Sequence, residues 1–414
     1  MQRKQIFRHS VLSLMEPDYW ISIPDHIIIN VFRYLSLSDR YHASLVCKTW
    51  QQCFHSQYLW RKFVFNLNQD NAKFKNFSDC VVNHGHHFRD VIIQLFQKDV
   101  EKRRCAVDVI NLLCKVNQSK LLKFAIFFTG ENPLFYAGLE FVEALNAFFG
   151  PFSKELQPRQ SLVEVNLSGL QAAFDDSLID QLSENHCDIE YLNLLNRILV
   201  CKVTSDCMLR LVKRCKKLQD LRLYHTSLSD EILETLAEEG RKPIKYLAIG
   251  CRRELKYESD LSSEAWYKLV SACPRFRVSL HFDHTVPLTK ILDVLKPEIP
   301  LKQLRLETFT MLIDEIKNVS SFYADSLETL VLQTRGSYEL GTALLDLAHS
   351  CKKLACLKVY CVLDKYVVDG ILEALPRLKE AGNYILKSEM EPEPWMIPKR
   401  SDLLLTVPLE FPYK

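Results

Sequence analysis

A phrase of the form L-x-x-L-x-L recurs through most of this 414-residue chain and limits its architecture more than any other feature. It reads Leu162-Val165-Leu167, Ile189-Leu192-Leu194, Leu218-Leu221-Leu223, Ile244-Leu247-Ile249, Leu301-Leu304-Leu306, Leu327-Leu330-Leu332 and Leu354-Leu357-Val359. From Leu162 the starting residues stand 27, 29, 26 and 32 residues apart up to Phe276, then 25, 26 and 27 apart. Looser copies are Phe88-Val91-Ile93 and Leu121-Phe124-Ile126. Between copies the apolar spacing turns helical: Ser229-Asp230 can cap a helix carrying Ile232, Leu233, Leu236 and Ala237, and residues 342–348 and 367–375 repeat that spacing. One strand plus one helix cannot bury its own apolar face, so such units stack on their neighbours. The expected fold is an α/β solenoid, with parallel strands on the concave side and helices on the convex side.

Alternation along a strand then sorts the side chains. The leucine positions go inward, and the residues between them lie on the concave face. That set includes Asn166, Tyr191, Asn193, Arg222, Tyr224, Tyr246, Arg305, Thr329, Lys358 and Tyr360. Tyrosine and arginine are over-represented at interface hot spots, though tyrosine is also a good strand former. Tyr191, Arg222, Tyr224, Tyr246, Arg305, Lys358 and Tyr360 are therefore the candidate substrate-binding residues. One copy is irregular. Strict counting from Phe276 puts Ser279 and His281 inside, whereas a shift by one gives Leu280 and Phe282, as if a residue had been inserted. The polar residues 252–260 are expected to loop out just before it.

Residues 23–65 follow a different pattern. They open on Ile23-Pro24, step through Ile27/Ile28, Val31/Phe32 and Leu35, and continue with Leu37, Asp39-Arg40, Val46-Cys47, Trp50 and Leu59-Trp60. Pro24 suits a first helical turn, where its missing N–H costs nothing. The apolar residues that follow fall at i, i+1, i+4, i+5 and i+8, a stripe too wide for one core-facing seam. Ser38 and Asp39 offer cap oxygens for a second helix, along which Ala43, Val46, Cys47, Trp50 and Phe54 recur at helical spacing. About 40 residues lie near the lower limit for a self-sufficient core, so the surplus apolar surface calls for a partner or a docked neighbouring domain.

Composition excludes several classes. With a net charge of +2 and only short, separated basic clusters (Lys102-Arg103-Arg104, Arg214 with Lys216-Lys217, Arg241-Lys242), the chain is not built to bind nucleic acid. Its 14 cysteines contain no C-x-x-C pair, and Cys215, Cys273 and Cys351 each precede a new repeat by three residues. They read as buried small hydrophobes in a reducing compartment, cytoplasmic or nuclear. Apolar runs such as residues 124–128 fall far short of the ~20 residues a membrane span needs, so no membrane partner is expected. No phosphate-loop, dinucleotide, zinc-hydrolase or nucleophile-elbow motif occurs. His84, His86 and His87, beside Asn83 and Gly85, read as a solvated turn rather than a metal site. The chain is read as non-enzymatic, with no catalytic residue, metal or cofactor.

The ends differ from the middle. Residues 1–17 carry Arg3, Lys4 and Arg8 with no acid before Glu16 and are expected to be a disordered leader, Met15 being a second candidate initiator. The tail 389–414 holds Pro392, Pro394, Pro398, Pro408 and Pro412, which excludes further regular repeats. Trp395 and Leu403-Leu404-Leu405 are too apolar for free solvent, so the tail is expected to cap the open end of the solenoid. The domains are therefore a leader at 1–17, a helical module at 18–66, the repeats at 67–388 and the tail or cap at 389–414.

The ordered series in residues 23–65 resembles an F-box, and the repeat period is that of a long leucine-rich repeat. Together they resemble the F-box/leucine-rich-repeat family over nearly the whole chain. Beyond Leu35-Ser36-Leu37 and Asp39-Arg40, the likeness rests on Gly130-Glu131 with Pro133-Leu134-Phe135, Ala137-Gly138 and Glu143-Ala144. It extends to Leu228-Ser229 with Ile232-Leu233-Glu234 and Leu236-Ala237, and to Glu391-Pro392 with Pro394-Trp395. The leader before Met15 departs from the pattern, as does Ile23, which stands where leucine is usual but keeps its volume and polarity. The resemblance implies a substrate-recognition subunit of an SCF-type cullin-RING ubiquitin ligase. A Skp adaptor would bind Ile23, Pro24, Ile27, Ile28, Val31, Phe32, Leu35, Leu37, Val46 and Trp50, while the repeats hold a protein substrate for ubiquitination and proteasomal degradation. The alternative is a scaffold or repeat-type binder that engages the adaptor, or another partner, without ubiquitin transfer.

Overall fold

The computed structural model describes residues 23–68, 74–116, 120–131, 138–151, 161–257 and 260–388. The expected leader, the proline-rich tail and the Pro133-Leu134-Phe135 motif lie outside the described residues. By its internal contacts the chain divides into an N-terminal unit ending at Ile244 and a C-terminal unit starting at Lys245.

The N-terminal unit opens with four short helices, α1 (Asp25–Tyr34), α2 (Leu37–Ser44), α3 (Lys48–Phe54) and α4 (Gln57–Trp60). Pro24 stands at the N-cap of α1 and its carbonyl accepts from Ile27 N at 2.9 Å. The second helix differs from the expectation. Ser36, not Ser38 or Asp39, is its cap, accepting from Asp39 N at 3.1 Å and donating to the Asp39 carboxylate at 2.7 Å. The apolar stripe from Ala43 to Phe54 is split between α2 and α3: α2 ends at Ser44, whose hydroxyl donates to Tyr41 O (2.6 Å), and the chain is extended at Cys47 (φ −157°) before α3 begins.

Strands and helices then alternate: β1 (Lys62–Asn66), α5 (Phe74–His84), β2 (Asp90–Leu95), α6 (Val100–Cys114), β3 (Lys123–Phe128), α7 (Leu139–Phe149), β4 (Glu164–Gly169), α8 (Asp176–Asn185), β5 (Tyr191–Asn193), α9 (Ser205–Arg214), β6 (Asp220–Tyr224) and α10 (Asp230–Ala237). All six strands pair in parallel and in chain order, and one rung runs Phe63, Val91, Phe124, Val165, Leu192, Leu221. Every member of that rung is buried, each residue of this kind stabilising the fold by about 1.5–3 kcal/mol. The first strand was not legible in the leucine pattern because its inward phrase is aromatic, Trp60-Phe63-Phe65, and the sheet starts before the boundary at residue 67.

Amide side chains hold the loops that follow these strands. Buried Gln97 brackets Gly130, accepting from its N–H (2.7 Å) and donating to its carbonyl (2.9 Å), and also donates to Gln171. Asn196 donates to Leu170 O and Ala172 O, both at 2.9 Å. Gly169 is required where β3 and β4 slip register, since a Cβ there would collide with Ile126 O.

The C-terminal unit repeats the plan with β7 (Tyr246–Cys251), α11 (Ser263–Ala272), β8 (Arg277–Phe282), α12 (Leu288–Val294), β9 (Leu301–Thr310), α13 (Ile313–Phe322), β10 (Thr329–Thr334), α14 (Tyr338–Ser350), β11 (Cys356–Val362), α15 (Lys365–Ala374), α16 (Pro376–Ala381) and β12 (Tyr384–Lys387). Its strands are again parallel and sequential. Each unit thus has the expected α/β solenoid construction, and Ser229, Ser262 and Ser337 cap their helices through side-chain oxygens.

Two expectations in this unit change. Leu280 and Phe282 do point inward, but Val278 joins them, paired with Leu247 of β7. The irregular copy has therefore lost a residue between its first two inward positions rather than gained one. The supposed outward loop at 252–260 begins as a 3-10 turn at Arg253–Tyr257, pinned by buried Leu255, by Arg253 N donating to Thr285 Oγ1 (3.0 Å) and by an Arg252–Asp283 ion pair (3.4 Å). No helix among the described residues is long and apolar enough to cross a membrane.

Candidate protein-docking surfaces

The four N-terminal helices share an aromatic core with β1 and α5. Phe32 meets Trp50 edge-on (5.6 Å between centroids), Phe54 meets Trp60 likewise (5.2 Å), and Trp60 Nε1 donates to Phe54 O at 2.7 Å. Arg40 acts as the clamp. It donates to Phe32 O (3.1 Å), Leu59 O (3.2 Å) and Leu35 O (3.3 Å), tying the end of α1 to α4, and burial pulls its pKa below the ordinary value. Trp60 stacks face to face on His84 at 3.7 Å, which places His84 in the core and not in the solvated turn expected of it; His86 alone of the three is exposed.

This core sorts the sequence candidates. Ile28 and Phe32 are only 2% and 1% exposed and belong to the interior. Ile23, Leu35 and Trp50 are half-buried. Pro24, Ile27, Val31, Leu37 and Val46 face solvent. The exposed apolar residues also include Tyr34, Tyr41, Leu45 and Tyr58, which sequence reasoning missed. Ile27, Val31 and Tyr34 lie on one face of α1, at i, i+4 and i+7, and Leu37, Tyr41 and the cap residue Leu45 follow at i, i+4 and i+8 along α2. The wide stripe was thus two stripes, one inward and one outward, and only the tyrosines' spacing to Val31 and Leu37 marked the outward one.

On the strand face of the N-terminal unit, the outermost rung is Lys62, Asp90, Lys123, Glu164, Tyr191, Asp220. It neutralises itself, with Lys123 2.6 Å from Glu164. Arg222 forks onto Asp220 at 2.9 and 3.0 Å while its guanidinium lies 5.1 Å over the Tyr191 ring. Burial pushes the Asp220 carboxyl up against the pull of Arg222. Tyr224 donates its hydroxyl to Asn196 O and so braces a loop. Asn166 and Asn193 are buried, contrary to the expectation that they face outward. Their side-chain oxygens accept from Ser168 N (3.0 Å), within β4, and from Leu195 N (3.1 Å), just past the end of β5.

In the C-terminal unit Arg305, Val331 and Lys358 form one cross-strand row. Tyr246 donates to Gln303 at 3.5 Å, and Thr329, Lys358 and Tyr360 are half-buried. Arg305 pairs with Glu307 of its own strand at 2.6 Å, and His281 sits 3.1 Å from the other carboxylate oxygen. Burial raises the Glu307 pKa, yet His281 and Arg305 together hold it down to about 2. Both candidate arginines are thus already matched to carboxylates. Among the described residues no group of three His, Cys, Asp or Glu side chains is placed to hold a metal ion.

Residues 20–66 match the F-box-like family model. The chain is 29% identical to F-box/LRR-repeat protein 8 of Homo sapiens, across 90% of this chain and 96% of that protein. The Mus musculus protein of that name is 28% identical over 90% and 97%. F-box/LRR-repeat protein 21 of Mus musculus is 30% identical over 64% of this chain and 59% of its own length. Residues 20–66 are F-box-like, and over nine-tenths of its length the chain is similar to F-box/LRR-repeat proteins. Within that family pattern, the F-box match spans α1 to α4 together with β1, and the remaining strands and helices are the leucine-rich repeats.

Proposed function

We propose that this chain is the substrate-recognition subunit of an SCF-type cullin-RING ubiquitin ligase. The observation that supports it best is the F-box module itself: a core completed by Phe32, Trp50, Phe54 and Trp60 and clamped by Arg40, with two apolar stripes left outside it. Contiguous exposed apolar surface on a structured module marks an interaction site. Pro24, Ile27, Val31, Leu37 and Val46 meet the Skp adaptor, joined by Tyr34, Tyr41 and Leu45. Ile28 and Phe32 act by holding the helices that present them. The strand faces of the repeats bind a protein substrate, which the adaptor brings to a cullin-RING scaffold for ubiquitination and degradation by the proteasome. The chain then works by proximity, since holding substrate and conjugating enzyme in one assembly makes transfer effectively intramolecular, and no residue of it touches the reacting bond. A reducing compartment, cytoplasmic or nuclear, suits its free cysteines.

The test is co-purification from cells with the Skp adaptor and a cullin, followed by substrate-dependent ubiquitin transfer with reconstituted components. Adaptor binding without cullin and without transfer favours the scaffold alternative. Loss of neither partner on replacing Val31 and Leu37 with aspartate overturns the assignment of the docking stripe.

A further inference from the structure

We propose that the strand face of the C-terminal unit recognises an extended acidic segment of the protein substrate, one carboxylate of that segment meeting Arg277 and a second meeting Lys358. Glu307 is the one acidic residue in strands β7 to β12. Its two carboxylate oxygens are taken by Arg305 (2.6 Å) and His281 (3.1 Å). Lys302 is matched to Glu328 just before β10 (3.0 Å), and Arg252 to Asp283 just after β8 (3.4 Å). Among the described residues, Arg277 and Lys358 have no carboxylate within ion-pair distance. Arg277, the register partner of Tyr246, is exposed, and its guanidinium donates to the carbonyl of Phe276 (2.7 Å). Lys358 is half-buried between its register partners Val331 and Ile385, so a carboxylate that meets it is screened less than one in open water. The outermost rung of the N-terminal unit pairs its own charges, whereas this face carries positive charge to spare.

The two cations are too far apart to share one anion. Register places Lys358 level with Val331, Arg305 and His281, so it stands three strands from His281, about 14 Å. His281 lies four residues along β8 from Arg277, about 13 Å further. The diagonal is about 19 Å, the span of roughly six extended residues. The segment therefore carries Asp or Glu at two positions about six apart. Between the cations the short side chains of Ser279, Thr329 and Val331 leave the sheet open to an approaching backbone. A phosphate fits this layout less well than a carboxylate. Phosphate groups are held best by an arginine fork, and the fork of Arg305 is closed on Glu307 at 3.1 and 2.6 Å. The inference rests on the strand face being the substrate surface and adds the chemistry that surface selects.

Selection from a display library of random peptides tests it, run on the purified full chain and on an Arg277→Glu, Lys358→Glu chain. The wild type is expected to enrich peptides with two acidic residues about five to seven positions apart. The reversed chain is expected to enrich Lys or Arg at the same spacing. A selected peptide, labelled and followed by fluorescence anisotropy, is expected to bind at least tenfold more weakly to either single reversal. Replacing the matching acid of the peptide with lysine is expected to restore binding to that reversal. No enrichment, enrichment without acids, or the same peptides from both chains overturns the proposal. Binding at least tenfold tighter with phosphoserine in place of either acid also overturns it and assigns the face to a phosphorylated partner. If Lys358→Glu does not fold, Lys358→Met, which keeps the stem, is expected to lose selection of one acid and keep the other. Adaptor co-purification and ubiquitin transfer are read separately, so failure of the ligase reading and failure of this one are distinguishable.

Discussion

His84 lies flat against Trp60 with the rings 5° apart, and His55 stacks on its other neighbourhood at 5.1 Å. Burial, with the nearby His55, His87 and His86, pulls its pKa down to about 4. The folded state therefore holds the neutral ring, and between the unfolded value near 6.5 and about 4 the unfolded chain binds the proton more readily. The contribution is intact above 6.5 and is lost as pH falls through that window, a cost on the order of 1–3 kcal/mol. Urea unfolding at pH 7 and pH 4.5 measures it, and His84→Phe, which keeps an aromatic face on Trp60, is expected to flatten the difference. Arg40 makes a second residue-scale prediction. Arg40→Met strips three carbonyls of their donor, and a loss of about 2–4 kcal/mol in F-box stability is expected by the same unfolding measurement.

At the scale of elements, what the chain makes legible depends on whether the signal is periodic. The leucine phrase located nearly every strand because burial repeats every second residue along it. It missed β1, whose inward residues are Trp60, Phe63 and Phe65, and β12, whose four residues are all half-buried. The division of the second F-box helix was invisible because the apolar spacing runs unbroken across the extended residue Cys47. Asn166 and Asn193 misled for a similar reason, since alternation says which way a Cα–Cβ bond points and not where an amide folds back. Pairing within a strand is equally silent in a pattern, and it changes the expected chemistry of the repeat face. With Arg222 on Asp220 and Arg305 on Glu307, recognition of substrate is expected to survive phosphatase treatment, checked by pull-down from treated and untreated lysate. In β9, Phe309→Gly is expected to leave stability unchanged or raise it by up to about 1 kcal/mol, because glycine accepts the left-handed conformation freely. Urea unfolding of the variant measures it.

For the molecule as a whole, the F-box and the repeats divide the work. The buried aromatic residues of α1 to α4 pack on one another and on His84 and Phe63, which leaves Ile27, Val31 and Tyr34 of α1 and Leu37, Tyr41 and Leu45 along α2 exposed. The central claim is that these outward stripes are the adaptor interface. The most direct measurement is the equilibrium affinity of the purified chain for the Skp adaptor, titrated calorimetrically for the wild type and for Val31→Asp with Leu37→Asp. At least a hundredfold weaker binding is predicted, about 2.7 kcal/mol or more, at an unchanged thermal midpoint. Wild-type affinity in that variant would contradict the account.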